Sequence, residues 1–131
     1  MSMTAAPIGK TVLLVEDDGW LRHIMAELLA DDGYRVHEAA TGTQALELVE
    51  KETPDAVVLD LNLPELSGLD VLHELRTSKQ LLSLPVIVLS GSLDGDTRQR
   101  LSRMSERADH IFEKPVDVGR LFERLEEAIV G

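Results

Sequence analysis

Ala56-Val57-Val58-Leu59-Asp60-Leu61-Asn62-Leu63-Pro64 is the stretch on which the reading of the fold turns. Four apolar residues without alternation describe a strand buried on both faces. An aspartate follows at once, and Pro64 marks a sharp turn. A carboxylate at the tip of a buried strand is where an open α/β sheet places its chemistry. Similar signals flank it. Upstream, Glu16, Asp17 and Asp18 follow the run Thr11 to Val15; downstream, Ser90 ends Val86 to Leu89, and Lys114 with Pro115 follows Ile111 and Phe112.

Five short apolar or β-branched runs predict strands at Thr11 to Val15, Arg35 to Ala39, Ala56 to Leu59, Pro85 to Leu89 and His110 to Glu113. Apolar residues at helical spacing lie between them, as in Leu21, Ile24, Met25, Leu28 and Leu29, and again in Val118, Leu121, Phe122, Leu125 and Ile129. Thr41 with Gln44, Ser67 with Asp70 and Asp96 with Gln99 have the form of capping pairs, and Gly33 has that of a helix stop. This alternation predicts (βα)5, a doubly wound parallel five-stranded α/β sheet. The order 2-1-3-4-5 is the common one for such a sheet and is adopted as such. Strands one and three then flank the crevice where the winding reverses, bringing Glu16, Asp17 and Asp60 together.

The chain has 131 residues, room for one core, with 44% hydrophobic residues but only one Trp, one Tyr and two Phe. The core is therefore aliphatic. A net charge of −11 opposes direct binding to nucleic acid or an anionic membrane and favours a protein partner or a cation. There is no cysteine, hence no disulfide or thiolate chemistry. No run approaches the length needed to span a bilayer, and Met1 to Lys10 lacks the apolar stretch of a signal peptide, so the expectation is a cytoplasmic protein without membrane insertion. Residues 1–9 read as a flexible lead and 10–131 as the folded domain.

Carboxylates converging in one crevice repel by roughly 4 kcal/mol per pair at ~4 Å and an effective dielectric of about 20. A hard divalent cation relieves this, and Mg²⁺ (or Mn²⁺) suits a site of few protein oxygens completed by water. Asp17 and Asp60 are the expected ligands, with the Asn62 backbone carbonyl as a third and Glu16 acting directly or through water. No clustering of His or Cys points to zinc; His23, His37, His73 and His110 lack ligand spacing and read as surface or core-edge residues. An aspartate can also accept a phosphoryl group as an acyl phosphate. Lys114 and the Ser90 hydroxyl are suited to the oxygens of that product.

These residues resemble the receiver domain of bacterial two-component response regulators, with the likeness running from about Lys10 to Val130. Its acidic pair falls on Glu16 and Asp17, and its phosphoacceptor on Asp60 within the pattern Asp60, Asn62, Pro64, Gly68. The switch hydroxyl falls on Ser90, beside the small Gly91, and the ammonium on Lys114 before Pro115. The resemblance implies a flavodoxin-like fold and Mg²⁺-dependent phosphoryl transfer to Asp60 from a sensor histidine kinase or a histidine phosphotransfer protein. It also implies slow self-catalysed loss of the phosphate, a cis Lys114–Pro115 bond, and remodelling of the face of helix four, strand five and helix five toward an unidentified downstream protein. Such a domain is a phosphoacceptor and not an enzyme beyond its own phosphorylation and dephosphorylation. Asn62 and Ser92 lie where the family tunes that loss.

Two positions depart from the family pattern. Ile111 stands where the switch aromatic is usual, and Glu16 where Asp is commoner, a choice frequent in receivers attached to hybrid kinases. Ile111 favours, as a rival, a receiver-shaped adaptor that works without phosphate. An aspartyl-nucleophile phosphatase would need an acid where Asn62 stands, and a flavin carrier would place a phosphate against Glu16, Asp17 and Asp18. Asp18 reads as solvated and not a ligand. Arg100, Arg103 and Arg107 repeat at helical spacing and read as a solvated face, or alternatively as a docking stripe for an acidic partner. Trp20, directly after the acidic turn, is expected to report metal binding by a change in emission.

Overall fold

The computed structural model describes residues 9–78, 81, 83–91, 94–103 and 108–130. Ser92, Arg107 and residues 1–8 of the expected lead lie outside the described residues. Five strands, β1 (Thr11–Val15), β2 (Arg35–Ala39), β3 (Ala56–Asp60), β4 (Val86–Ser90) and β5 (His110–Glu113), alternate with five helices. The helices are α1 (Gly19–Asp31), α2 (Gly42–Lys51), α3 (Gly68–Thr77), α4 (Gly95–Arg103) and α5 (Val118–Val130). All strand pairs are parallel, in the order β2-β1-β3-β4-β5.

Alternation along the strands divides the core in two. Leu13, Val15, Val57, Leu59, Val86 and Val88 face α2, α3 and α4, against Val49, Leu72, Leu75 and Leu101. Val12, Leu14, Val58, Ile87 and Leu89 face α1 and α5, against Met25, Leu29, Leu121 and Leu125. The helix after β1 and the helix after β3 therefore lie on opposite faces, and the crevice opens between these two strands at their carboxyl ends. The helix α4 is the least anchored, with Leu101 as its one buried residue among those described. Among the described residues, no helix is long and apolar enough to cross a membrane.

Three strand boundaries and one cap differ from the sequence reading. The strand β4 begins at Val86 and not Pro85, because Pro85 has no N–H to give; it contributes its carbonyl to Val57 N–H at 2.9 Å instead. At the other end the ladder runs one residue further, pairing Asp60 with Leu89 and Ser90 with Glu113. The cap of α4 is Asp94, whose carboxylate accepts the Thr97 N–H at 2.8 Å, while Asp96 falls within the first turn. Thr41 and Ser67 cap α2 and α3 as read, accepting from the backbone of Gln44 and Asp70. Gly33, at φ 106°, closes α1 with Gly33 N–H on Ala30 O and Tyr34 N–H on Leu29 O, the paired bonds of a Schellman stop.

The amino ends of the sheet are fastened by side chains. Asp55 accepts the Thr11 N–H at 2.7 Å, joining the loop before β3 to β1, and Asp109 accepts the Val86 N–H at 2.8 Å, joining the loop before β5 to β4. Buried beneath the second of these is Arg76, whose Nη1 donates to the carbonyls of Leu81 at 2.9 Å and Leu84 at 2.7 Å, with Nη2 3.6 Å from Asp109 Oδ2. Replacing Arg76 by Met takes a buried donor from the Leu81 and Leu84 carbonyls and the cation from beside Asp109, whose Oδ2 keeps the Val86 N–H. The expected loss is about 3 kcal/mol of stability, read as a lower denaturant midpoint with an unchanged slope.

Candidate functional site

Each acidic residue reaches the crevice from the end of a different backbone segment. Glu16 directly follows β1, and its N–H still bonds Ala39 O at 3.0 Å, so the β1–β2 ladder holds its backbone. Asp60 ends β3, fully within the ladder. Asp17 lies in the open turn, and Asp18 starts α1 by accepting the N–H groups of Trp20 at 3.1 Å and Leu21 at 3.2 Å. Asp18 is thus exposed and no member of the cluster, as read, yet it has a task that the sequence reading missed. Its position three residues before Leu21, at the start of an apolar stripe, was the available signal.

One carboxylate oxygen from each of Glu16, Asp17 and Asp60 lies within 4.8 Å of the others. Glu16 and Asp60 are each only 1% exposed, while Asp17 opens to solvent. The third arm comes from β5. Lys114 follows that strand, its N–H bonds Ser90 O at 2.8 Å, and its Nζ donates to Asp60 Oδ2 at 2.9 Å and Glu16 Oε1 at 3.0 Å. The Lys114–Pro115 peptide is cis.

The remaining oxygens are unequal. Asp60 Oδ1 accepts the Asn62 N–H at 2.9 Å, whereas Glu16 Oε2 is buried with no hydrogen-bond partner among the described residues. Such an oxygen is costly in a closed site and suits a cation. With only oxygens on offer, a hard divalent ion fits the donor set and a soft one does not. Burial, followed by contact with Asp60, pushes the Glu16 carboxyl up to about 8, against the opposing pull of Lys114. Burial lowers the Lys114 ammonium, but the bonds to Asp60 and Glu16 outweigh it and leave it above its ordinary value.

The loop after β3 depends on Gly68. Its N–H bonds Leu61 O at 3.1 Å, and a Cβ there would overlap the Asp60 carbonyl oxygen and the Leu61 Cα. Only glycine lets α3 start against the strand end that carries Asp60. Pro64 lies in the same loop, next to Glu65 at φ 65°. Ser90 is buried beside the cluster's third arm, and a Cβ at Gly91 would stand 3.2 Å from the Asn62 side-chain nitrogen and 4.0 Å from Lys114 Cδ. Ile111 points outward and is 39% exposed, while His110 and Phe112 turn inward. Trp20 is 76% exposed at the head of α1. Of the histidines, His23 pairs with Glu27 at 3.0 Å and His37 with Glu52 at 2.8 Å, both outside the crevice.

The profile of the response regulator receiver domain matches residues 12–126. The response regulator MprA of Mycolicibacterium vanbaalenii is 34% identical over 114 residues, 87% of this chain and 48% of its own length. The cell cycle transcriptional regulator CtrA of Caulobacter vibrioides is 32% identical over 118 residues, 90% of this chain and 49% of its own. The chain thus spans about half the length of the curated relatives it matches. Among solved structures, the receiver domain of a sensor histidine kinase from Pseudomonas aeruginosa, with a magnesium ion in its active-site cleft, superposes with a TM-score of 0.84 at 30% identity, covering 94% of this chain and 99% of that one. The response regulator TrrA of Thermotoga maritima, in complex with Mg²⁺ and beryllofluoride, gives 0.79 at 30% identity over 91% and 98% of the two chains. With its parallel sheet, its acidic crevice and a family match over most of its length, this chain belongs to the response regulator receiver domains.

Proposed function

We propose that residues 10–131 form a phosphoacceptor unit in which Asp60 takes a phosphoryl group from a phosphohistidine of a sensor kinase or phosphotransfer protein. The observation that carries this is the Lys114 ammonium bonded at once to Asp60 and Glu16, which gathers three chain segments around one carboxylate. A bond forms between an Asp60 carboxylate oxygen and phosphorus as the bond from phosphorus to the imidazole nitrogen breaks, and the imidazole leaves.

Glu16, Asp17, Asp60 and the Asn62 backbone carbonyl would hold Mg²⁺, which when bound neutralises the charge of the incoming phosphoryl group. Lys114 serves both states. In the structure it donates to the buried carboxyl groups of both Asp60 and Glu16; after transfer its ammonium binds a phosphoryl oxygen, and the Ser90 hydroxyl binds another while Gly91 leaves room for the group. The added charge, nearly two negative units, biases the backbone from Ser90 onward and with it α4, β5 and α5. At Ile111 there is no ring to exchange between exposed and buried positions, so a downstream protein would read that face through its shape and backbone. The chain's own chemistry is then confined to gaining and losing the phosphate, within the cytoplasm.

Incubation with a small acyl phosphate and Mg²⁺ is expected to add one phosphoryl group to the wild type, seen in the intact mass, and none to Asp60→Asn. A wild type that stays unlabelled while a control receiver is labelled would favour the phosphate-independent adaptor.

Metal binding is expected to depend on pH through Glu16, which is flanked by Asp17, Asp60 and Lys114. Below its raised pKa of about 8 the carboxyl holds a proton that the metal must displace, so apparent Mg²⁺ affinity should rise with pH and level off above about 8. Titration of Trp20 emission with Mg²⁺ at pH 6, 7, 8 and 9 measures this. The slope should largely vanish in Glu16→Gln.

A further inference from the structure

Arg22 makes a contact that the chemistry above leaves unexplained. It sits in the first turn of α1, where its N–H bonds the Asp18 carbonyl at 2.8 Å. Its side chain turns back toward the helix start, as long side chains on helices do. Nη1 donates to the backbone carbonyl of Glu16 at 2.9 Å, and Nε donates to Glu38 Oε1, on β2, at 3.2 Å. Nη2 lies 3.7 Å from where a Cβ on Gly19 would stand, so the guanidinium spans the whole acidic turn.

The backbone of Glu16 is thereby held on both sides. Its N–H is fixed by Ala39 O and its carbonyl by Arg22. That carbonyl belongs to the same planar peptide as the Asp17 N–H, so fixing one sets the direction in which Asp17 leaves the strand. Asp17 is the exposed member of the cluster and, unlike Asp60, does not lie in a strand.

We propose that Arg22 is a positioning residue for the divalent cation: through the Glu16 carbonyl it orients the Asp17 carboxylate toward those of Glu16 and Asp60. The proposal rests on the reading of these three acids as a Mg²⁺ site. Arg22 touches none of the three carboxylates itself and works through the peptide between the first two. Outer partners of this kind commonly govern metal affinity by tenfold or more.

Charge and position make opposite demands, which gives the test its sign. A cation beside a cation site repels the metal, so loss of the Arg22 charge alone would tighten Mg²⁺ binding. Loss of positioning weakens it. In Arg22→Met, which keeps the aliphatic stem, Mg²⁺ affinity followed by amide ¹H–¹⁵N shifts is expected to fall about tenfold. In Glu38→Gln, which removes the ion pair but leaves the donor to the Glu16 carbonyl, it should stay within about twofold, as for a screened surface pair.

Metal-free thermal unfolding of each variant, recorded beside the titration, reads the purely structural part. Unchanged or tighter binding in Arg22→Met overturns the proposal, as does a loss in Glu38→Gln equal to that in Arg22→Met. If Arg22→Met does not fold, Arg22→Gln decides: its amide stays polar but ends two bonds short of the Nη1 that reaches the Glu16 carbonyl, so weaker binding than wild type supports the role and equal binding overturns it. A wild type whose spectrum Mg²⁺ leaves unchanged refutes the metal site itself, an outcome distinct from wild-type binding that Arg22 does not affect.

Discussion

Two carboxylates buried to the same extent, with a single ammonium between them, set the terms for this molecule. Glu16 and Asp60 are almost fully covered, and Lys114 is bonded to both. One positive charge against two potential negative ones leaves a deficit, seen as the unpartnered Glu16 Oε2 and the elevated pKa of its carboxyl. Groups in such an arrangement stay together only where stiff backbone holds them. The parallel ladder supplies that stiffness for Asp60, the Ala39 carbonyl supplies it for Glu16, and the bond from Lys114 N–H to Ser90 supplies it for the lysine. The balance of charge is therefore a property of the sheet's reversal point more than of any one loop.

Most of this architecture is legible in the sequence because strands covered on both faces appear as unbroken apolar runs, and β3 and β4 are buried at every residue. The errors of one residue at Pro85, Asp60 and Ser90 come from reading hydropathy where hydrogen bonding decides, since a polar residue can end a ladder from inside it. The cap of α4 was misplaced because Asp94 and Asp96 stand two apart and each is followed three residues later by a residue able to answer it. The backbone geometry selects Asp94.

Side-chain partners were far less legible than positions. Their places at strand ends located Glu16, Asp17, Asp60 and Lys114, and the crevice unites them, but no pattern shows that Lys114 is shared between Glu16 and Asp60. Arg76 and Arg22 were missed for the same reason. Both sit on helices where an arginine ordinarily faces water, yet one closes the turn after α3 and the other bridges α1 to β2. For Arg76, its place directly after the buried Leu75 in the last turn of the helix was a usable hint. For Arg22 there was none, because its acceptors are a backbone carbonyl and a side chain sixteen residues away.

The shallow anchoring of α4 gives the two halves of the domain different mechanical characters. Around α1, α2 and α3, displacing any helix would open several aliphatic contacts together, and the amino end of the sheet is pinned by Asp55 and Asp109. Among the described residues, releasing α4 would uncover chiefly Leu101, a cost of about 2 kcal/mol. That is the scale of one hydrogen bond to an ionised group. A single polar contact made or broken near Ser90 is thus comparable in energy with the attachment of this helix, and the rest of the fold stands far outside its reach.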